Sequence, residues 1–174
     1  MSKLPSIFLI GPSGAGKSTV GQELASKLKL KFYDTDQVIE QRTGVSISWI
    51  YDVEGEAGFH RRQTEVLKEL VEKPGIVLAT GADIILSPEN RNLLAARGLV
   101  IYLSVPLDQQ IGRTQRKEHR PLLQVEDVES TLKEMNDERV PLYESIADIQ
   151  FSTEGFSIRN VLKSIVDYLH EQGY

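Results

Sequence analysis

The sequence predicts an α/β fold, a three-layer, doubly wound domain on a parallel sheet. Three observations carry this. Short apolar runs alternate with helical patterns along the whole chain, the order that βαβ units produce. Those runs are continuous rather than alternating, as in Ile7-Phe8-Leu9-Ile10 and Ile76-Val77-Leu78-Ala79, which is how strands buried on both faces read. The first run leads through a glycine-rich turn, residues 11–18, directly into a helical pattern.

Taken in order, the first strand covers residues 6–10, and a helix over 16–28 places Val20, Leu24, Ala25 and Leu28 on one side. Lys31-Phe32-Tyr33-Asp34 is a short second strand. After Asp34-Thr35-Asp36, Val38, Ile39 and Arg42 continue as a helix that Thr43-Gly44 stops. Residues 47–53 form a short helix whose Trp49 is expected in the core. The next helix, 56–72, carries Phe59, Val66, Leu67, Leu70 and Val71 on one face and ends at Pro74-Gly75. A strand over 76–79 leads to Thr80-Gly81-Ala82-Asp83, and a helix over 88–97 is closed by Gly98 as its C-cap. A strand over 99–103, a helix over 107–115 and a polar, basic segment to Pro121 follow. A helix over 127–138 is expected to break or restart at Pro141. Residues 148–151 are the last strand, and 157–169 the last helix, with Ile158, Val161, Leu162, Ile165, Val166 and Leu169 facing the core. The chain contains no repeat or linker, so residues 1–174 are expected to form one domain.

Residues 11–18, Gly-Pro-Ser-Gly-Ala-Gly-Lys-Ser, have the G-x-x-x-x-G-K-[ST] spacing of a phosphate loop in its setting of strand, turn and helix. Gly11, Gly14 and Gly16 open backbone conformations closed to other residues, so successive N–H groups, with Ala15 between, can turn inward around an anion. The helix that starts there, at Ser18 and Thr19, aims its positive end at the same point. Lys17 supplies a mobile charge for the β- and γ-phosphates, and Ser18 a hydroxyl for Mg²⁺.

Bulk properties narrow the alternatives. The net charge is −5 and no long basic run occurs, so a nucleic-acid partner has no electrostatic footprint. The chain has no cysteine, which excludes disulfides and thiolate metal sites and suits a reducing compartment. His60, His119 and His170 are far apart, without the i, i+4 pair of a zinc-binding helix. The first six residues are too short and polar for a signal peptide. No apolar run approaches the ~20 residues that span a bilayer, and the cytoplasm is the expected location.

Further pieces occur in a specific order: Tyr33-Asp34-Thr35-Asp36, Gly55-Glu56-Ala57-Gly58-Phe59, Ala79-Thr80-Gly81, Arg120-Pro121-Leu122-Leu123 and Glu138-Arg139-Val140-Pro141-Leu142-Tyr143. With the phosphate loop, over almost the whole chain, this order resembles shikimate kinase. The resemblance implies a nucleoside-monophosphate-kinase-like fold with a five-stranded parallel sheet, a substrate-binding segment near residues 35–62 and a lid near 113–124. It implies MgATP-dependent phosphorylation of the 3-hydroxyl of shikimate in aromatic amino-acid biosynthesis, by a monomer with small-molecule partners only. It gives Asp34 a place near Mg²⁺, Asp36 the substrate hydroxyls and the role of base, Arg113 and Arg120 the nucleotide, Arg120 the substrate as well, and Arg139 the substrate carboxylate. Plainer readings stand beside these. Asp34 or Thr35 suits a helix N-cap, Arg139 a helix-end dipole partner, and Arg116 and Lys117 a solvated loop.

Two positions depart from the family pattern. His60 stands where the family has arginine, and Gly81-Ala82-Asp83 where it has three glycines. At about 100° per residue, His60 falls beside the apolar face defined by Phe59, Arg61 falls opposite it, and Arg62 flanks it. Arg61 cannot replace the missing arginine without a register shift, and Arg62 is a flanking position at best. A neutral His60 and an added Asp83 charge both oppose an anionic acceptor, and Ala82 adds a side chain where backbone freedom is useful. Weak shikimate affinity with near-normal ATP binding is therefore expected. The alternatives are a changed acceptor, or a nucleotide-binding protein that has lost the reaction.

Overall fold

The computed structural model describes residues 3–115 and 127–174. Five strands, β1 (Ile7–Ile10), β2 (Lys31–Asp34), β3 (Ile76–Ala79), β4 (Leu99–Ser104) and β5 (Ile149–Ser152), form one sheet in the order β2-β3-β1-β4-β5. Every pairing is parallel. In the central strand, Ile7, Phe8 and Leu9 pair with Val77, Leu78 and Ala79 on one side and with Leu99, Val100 and Ile101 on the other.

Because side chains alternate across a strand, β1 feeds two cores. Phe8 and Ile10 pack with Ile39, Phe59, Leu67, Leu94 and Tyr143, supplied by α2 (Thr35–Thr43), α3 (Ile47–Leu70), α4 (Pro88–Arg97) and α6 (Val128–Ile146). Ile7 and Leu9 pack with Val20, Leu24, Val161, Ile165 and Leu169, supplied by α1 (Lys17–Leu28) and α7 (Ile158–Glu171). All four β1 side chains are fully buried, each contributing roughly 1.5–3 kcal/mol. The remaining helix, α5 (Leu107–Gln115), packs beside α6. Side-chain caps fix the helix starts: Ser46 accepts from the N–H of Trp49, Ser87 from Asn90, Asp127 from Ser130 and Ser157 from Asn160. Among the described residues, no helix is long and apolar enough to cross a membrane.

Four local expectations need correction. Residues 47–70 run as one element, interrupted only at Gly55, whose φ of 75° breaks the helical path between the two predicted helices. Trp49 is not in the core. It is 49% exposed, as Val53 is 61% exposed. The two lie one turn apart on the outer face, while Ile50 is buried and Ile47 and Tyr51 pack inward. Pro141 does not end α6, which continues to Ile146. The helix forgoes one hydrogen bond there, but Leu132, Arg139 and Tyr143 are buried along it, and that packing outweighs the local loss. Gly98 is extended, not left-handed. It is needed for space: a β-carbon would lie 2.6 Å from the Ser6 carbonyl oxygen and 2.7 Å from the Phe8 ring.

Candidate active site

The phosphate loop leaves the C-terminal end of β1. Gly11, Gly14 and Gly16 have φ of 149°, 85° and 86°, values that L side chains rarely adopt. A β-carbon on Gly11 would also lie 2.3 Å from the Leu103 carbonyl oxygen. Ala15 is buried and Thr19 is exposed in the first turn of α1. Lys17, 8% exposed, folds back over the loop and donates to the carbonyls of Gly11 (2.7 Å) and Pro12 (2.8 Å).

The end of β2 joins this loop. Ser18 Oγ donates to Asp34 Oδ2 at 2.5 Å. Asp34 Oδ1 accepts from the backbone N–H groups of Asp36 (2.9 Å) and Gln37 (3.1 Å). Asp34 thus caps α2 with one oxygen and faces the phosphate loop with the other. Thr35 Oγ1 accepts from the N–H of Gly81 at 2.9 Å and ties β2 to β3. Asp36 points elsewhere, as a spacing of two at a strand end allows. A β-carbon built on Gly81 would lie 2.6 Å from Asp36 Oδ1 and 2.8 Å from Gln63 Nε2, so both groups converge over that glycine. Ser18 and Asp34 offer paired hard oxygens beside the phosphate loop, which suits Mg²⁺ held by one carboxylate, phosphate and water.

Arg113 joins the phosphate loop to the segment after β5. Its Nη1 donates to Gly14 O (3.1 Å) and Thr153 Oγ1 (3.0 Å), and its Nη2 to Thr153 O (2.6 Å) and Gln109 Oε1 (3.1 Å). Burial lowers its pKa. Arg116, Lys117, Arg120 and most of the expected lid fall outside the described residues.

The acceptor side differs from expectation. Asp83 is not a loose negative charge. Its Oδ1 accepts from Arg139 Nη1 at 2.7 Å and its Oδ2 from the Tyr51 hydroxyl at 2.6 Å. His60 Nε2 lies 3.6 Å from Oδ2 and 3.9 Å from Glu56. Burial alone would raise the Asp83 pKa, but His60, Arg139 and Tyr51 outweigh it and hold the carboxyl down at about 2. The Asp83 carboxylate in turn raises His60 above its usual 6.5. Burial and Asp83 push Tyr51 up. Arg139 lies inside α6, 6% exposed, and not at a helix end. Its Nε has no acceptor among the described residues. Ala82 has no left-handed backbone, so it costs no conformational freedom; its carbonyl accepts from the Tyr143 hydroxyl at 2.9 Å. As the helical spacing predicts, Arg61 is exposed, and Arg62 pairs with Glu54 instead of the site.

Sequence reading missed Tyr51, Gln63 and Thr35 as site residues. Gln63 is the most legible of them in hindsight, a polar residue four positions after Phe59 on the buried face of α3. It is 1% exposed, and its Nε2 has no acceptor among the described residues. Tyr51 carries no local signal, and Thr35, although inside the Asp34-Thr35-Asp36 piece, shows its role only through Gly81; both partners lie beyond the end of β3.

Known proteins resemble this chain over nearly its whole length. A family model described as shikimate kinase matches residues 13–170. A shikimate kinase from Legionella pneumophila is 54% identical over 97% of this chain and 96% of its own. One from Francisella tularensis subsp. holarctica is 50% identical, covering 99% of this chain and 98% of its own. A solved structure, shikimate kinase from Acinetobacter baumannii in complex with shikimate, has a TM-score of 0.95 and 43% identity, covering 98% of this chain and 96% of that one.

Proposed function

Since the chain belongs to the shikimate kinase family, we propose that it transfers the γ-phosphoryl group of ATP to the 3-hydroxyl of shikimate, giving shikimate 3-phosphate and ADP. One observation carries this reading. Asp34 binds Ser18 of the phosphate loop with one oxygen and the N–H of Asp36 with the other, so the nucleotide side and the acceptor side share one rigid joint.

In this reading Gly11, Gly14, Ala15, Gly16, Ser18 and Thr19 cradle the phosphates, with Arg113 and Arg120 along the nucleotide. Asp36, His60, Gly81, Ala82 and Arg139 line the acceptor side. Lys17, now turned onto the loop carbonyls, moves its charge onto the γ-phosphate oxygens, where it counts most as the bridging bond breaks. Asp36 receives the proton of the attacking hydroxyl as the new oxygen–phosphorus bond forms. Ser18 and Asp34 would hold Mg²⁺, which would neutralise phosphate charge. Residues near 113–124 close as a lid and bring Arg120 to the reacting groups. The enzyme works as a cytoplasmic monomer on small molecules only.

Incubation with MgATP and shikimate, following ADP, tests this reading. Shikimate-dependent ADP is expected, and nucleotide binding without it overturns the reading. A changed acceptor is the second reading, favoured by the seat that Asp83 takes on Arg139. A screen of other hydroxy acids and polyols separates the two.

A further inference from the structure

We propose that Asp83 is the specificity-determining residue of the acceptor pocket: a resident carboxylate seated on Arg139, so that an acceptor's own carboxylate binds with uptake of one proton by His60. The inference rests on the phosphoryl-transfer reading, in which Arg139 receives that carboxylate.

The geometry is a count of charges around a buried ion pair. Arg139 is 6% exposed and Asp83 9%. Nη1 of Arg139 is given to Asp83, while its buried Nε has no acceptor among the described residues. The guanidinium therefore has donor capacity left, yet its charge is already balanced. A second carboxylate arriving there leaves the cluster with one negative charge in excess, in a place with little water to screen it. Among the described residues, four titratable groups border the pair and are candidates to relieve the excess. Tyr51 and Tyr143 cannot, since a neutral phenol takes up no proton. Glu56, on the same helix as His60, is exposed, and protonating it changes little inside the pocket. His60 remains, 3.6 Å from Asp83 and able to become a cation. Once protonated, it and Arg139 together balance Asp83 and the acceptor.

Two consequences follow. Shikimate affinity weakens as pH rises, approaching about tenfold per unit where one proton is taken up per ligand bound. Without the Asp83 charge the requirement disappears, because Arg139 alone balances the acceptor.

The test is calorimetric titration of the whole protein with shikimate at pH 8, in HEPES and in Tris, whose different ionisation enthalpies report protons exchanged. The unmodified chain is expected to take up close to one proton per shikimate. Asp83→Asn is expected to take up close to none and to bind at least about tenfold tighter at that pH. His60→Gln leaves the Arg139–Asp83 pair in place and serves should Asp83→Asn fail to fold. It is expected to bind weakly at pH 6 and pH 8 alike, with no proton uptake. Zero uptake by the unmodified chain, or undiminished uptake by either variant, overturns the proposal. Proton-linked binding without ADP formation supports the pocket assignment and overturns the phosphoryl-transfer reading. Turnover with a shikimate KM flat from pH 6 to pH 8 overturns the pocket assignment alone. Failure of every form to bind shikimate overturns both.

Discussion

Alanine at position 81 tests whether the Asp36 carboxylate is placed by steric contact. Gly81 has φ −64° and ψ 149°, open to any residue, so Gly81→Ala introduces no backbone strain. It stiffens the unfolded chain, a gain of about 0.4–1 kcal/mol. Against this, the new β-carbon lies 2.6 Å from Asp36 Oδ1 and 2.8 Å from Gln63 Nε2, where ordinary contact begins at 3.4 Å. The carboxylate must retreat by about 0.8 Å and the amide by about 0.6 Å, overpacking that costs roughly 1–3 kcal/mol. Net stability then falls by no more than about 2.6 kcal/mol, and the fold survives. Catalysis is affected more, since a misplacement approaching 1 Å costs on the order of 100-fold. We expect kcat to fall 10- to 100-fold, roughly, with MgATP affinity unchanged because the phosphate loop hangs from β1. ADP release at saturating MgATP measures the first and equilibrium titration the second. A double-mutant cycle decides the cause: on an Asp36→Asn background, Gly81→Ala should add little. A kcat within about twofold of the parent, or fully additive losses in the cycle, would refute the placement of Asp36 by Gly81.

Three further outcomes are expected. Lys17→Ala should abolish turnover with the fold retained, and activity above about 5% of the parent would remove the lysine from the chemistry. Gly98→Ala should lower stability by about 2–3 kcal/mol in urea unfolding with kcat unchanged, because the added carbon meets the Ser6 backbone, which cannot swing away; a loss under about 0.5 kcal/mol speaks against that contact. Asp83, whose pKa drops from 3.8 unfolded to about 2 folded, contributes stability that is complete above pH 3.8 and disappears as pH falls through 2. The stability gap between the parent and Asp83→Asn should therefore shrink by roughly 2 kcal/mol on acidification across that range, and a constant gap argues against the ion pair.

The architecture was legible because it is written locally. The continuous runs at 7–10 and 76–79 specify strands buried on both faces, and the glycines of the phosphate loop specify a turn that few sequences can make. The apolar faces of α3 and α7 follow helical spacing, and the same spacing turned Arg61 away from the acceptor side. What stayed hidden depends on partners distant in sequence. Asp83 reads as a bare charge until α6 brings Arg139 to it. Trp49 reads as core until Ile47, Ile50 and Tyr51 define the inner face. Gly98 reads as a cap until β1 passes within contact of it, and Pro141 reads as a stop because the burial that holds α6 together is tertiary.

The joint at Asp34 also divides the molecule's inheritance. Residues on its Ser18 side come from the ends of β1, β4 and β5, whereas Asp36, Tyr51, His60 and Gln63 all come from the single excursion between β2 and β3. Variation confined to that excursion, with Asp83 and Arg139, can explore new acceptors while the energy source stays fixed. The trio of His60, Asp83 and Arg139 sits beside a phosphate loop that retains every residue of its motif.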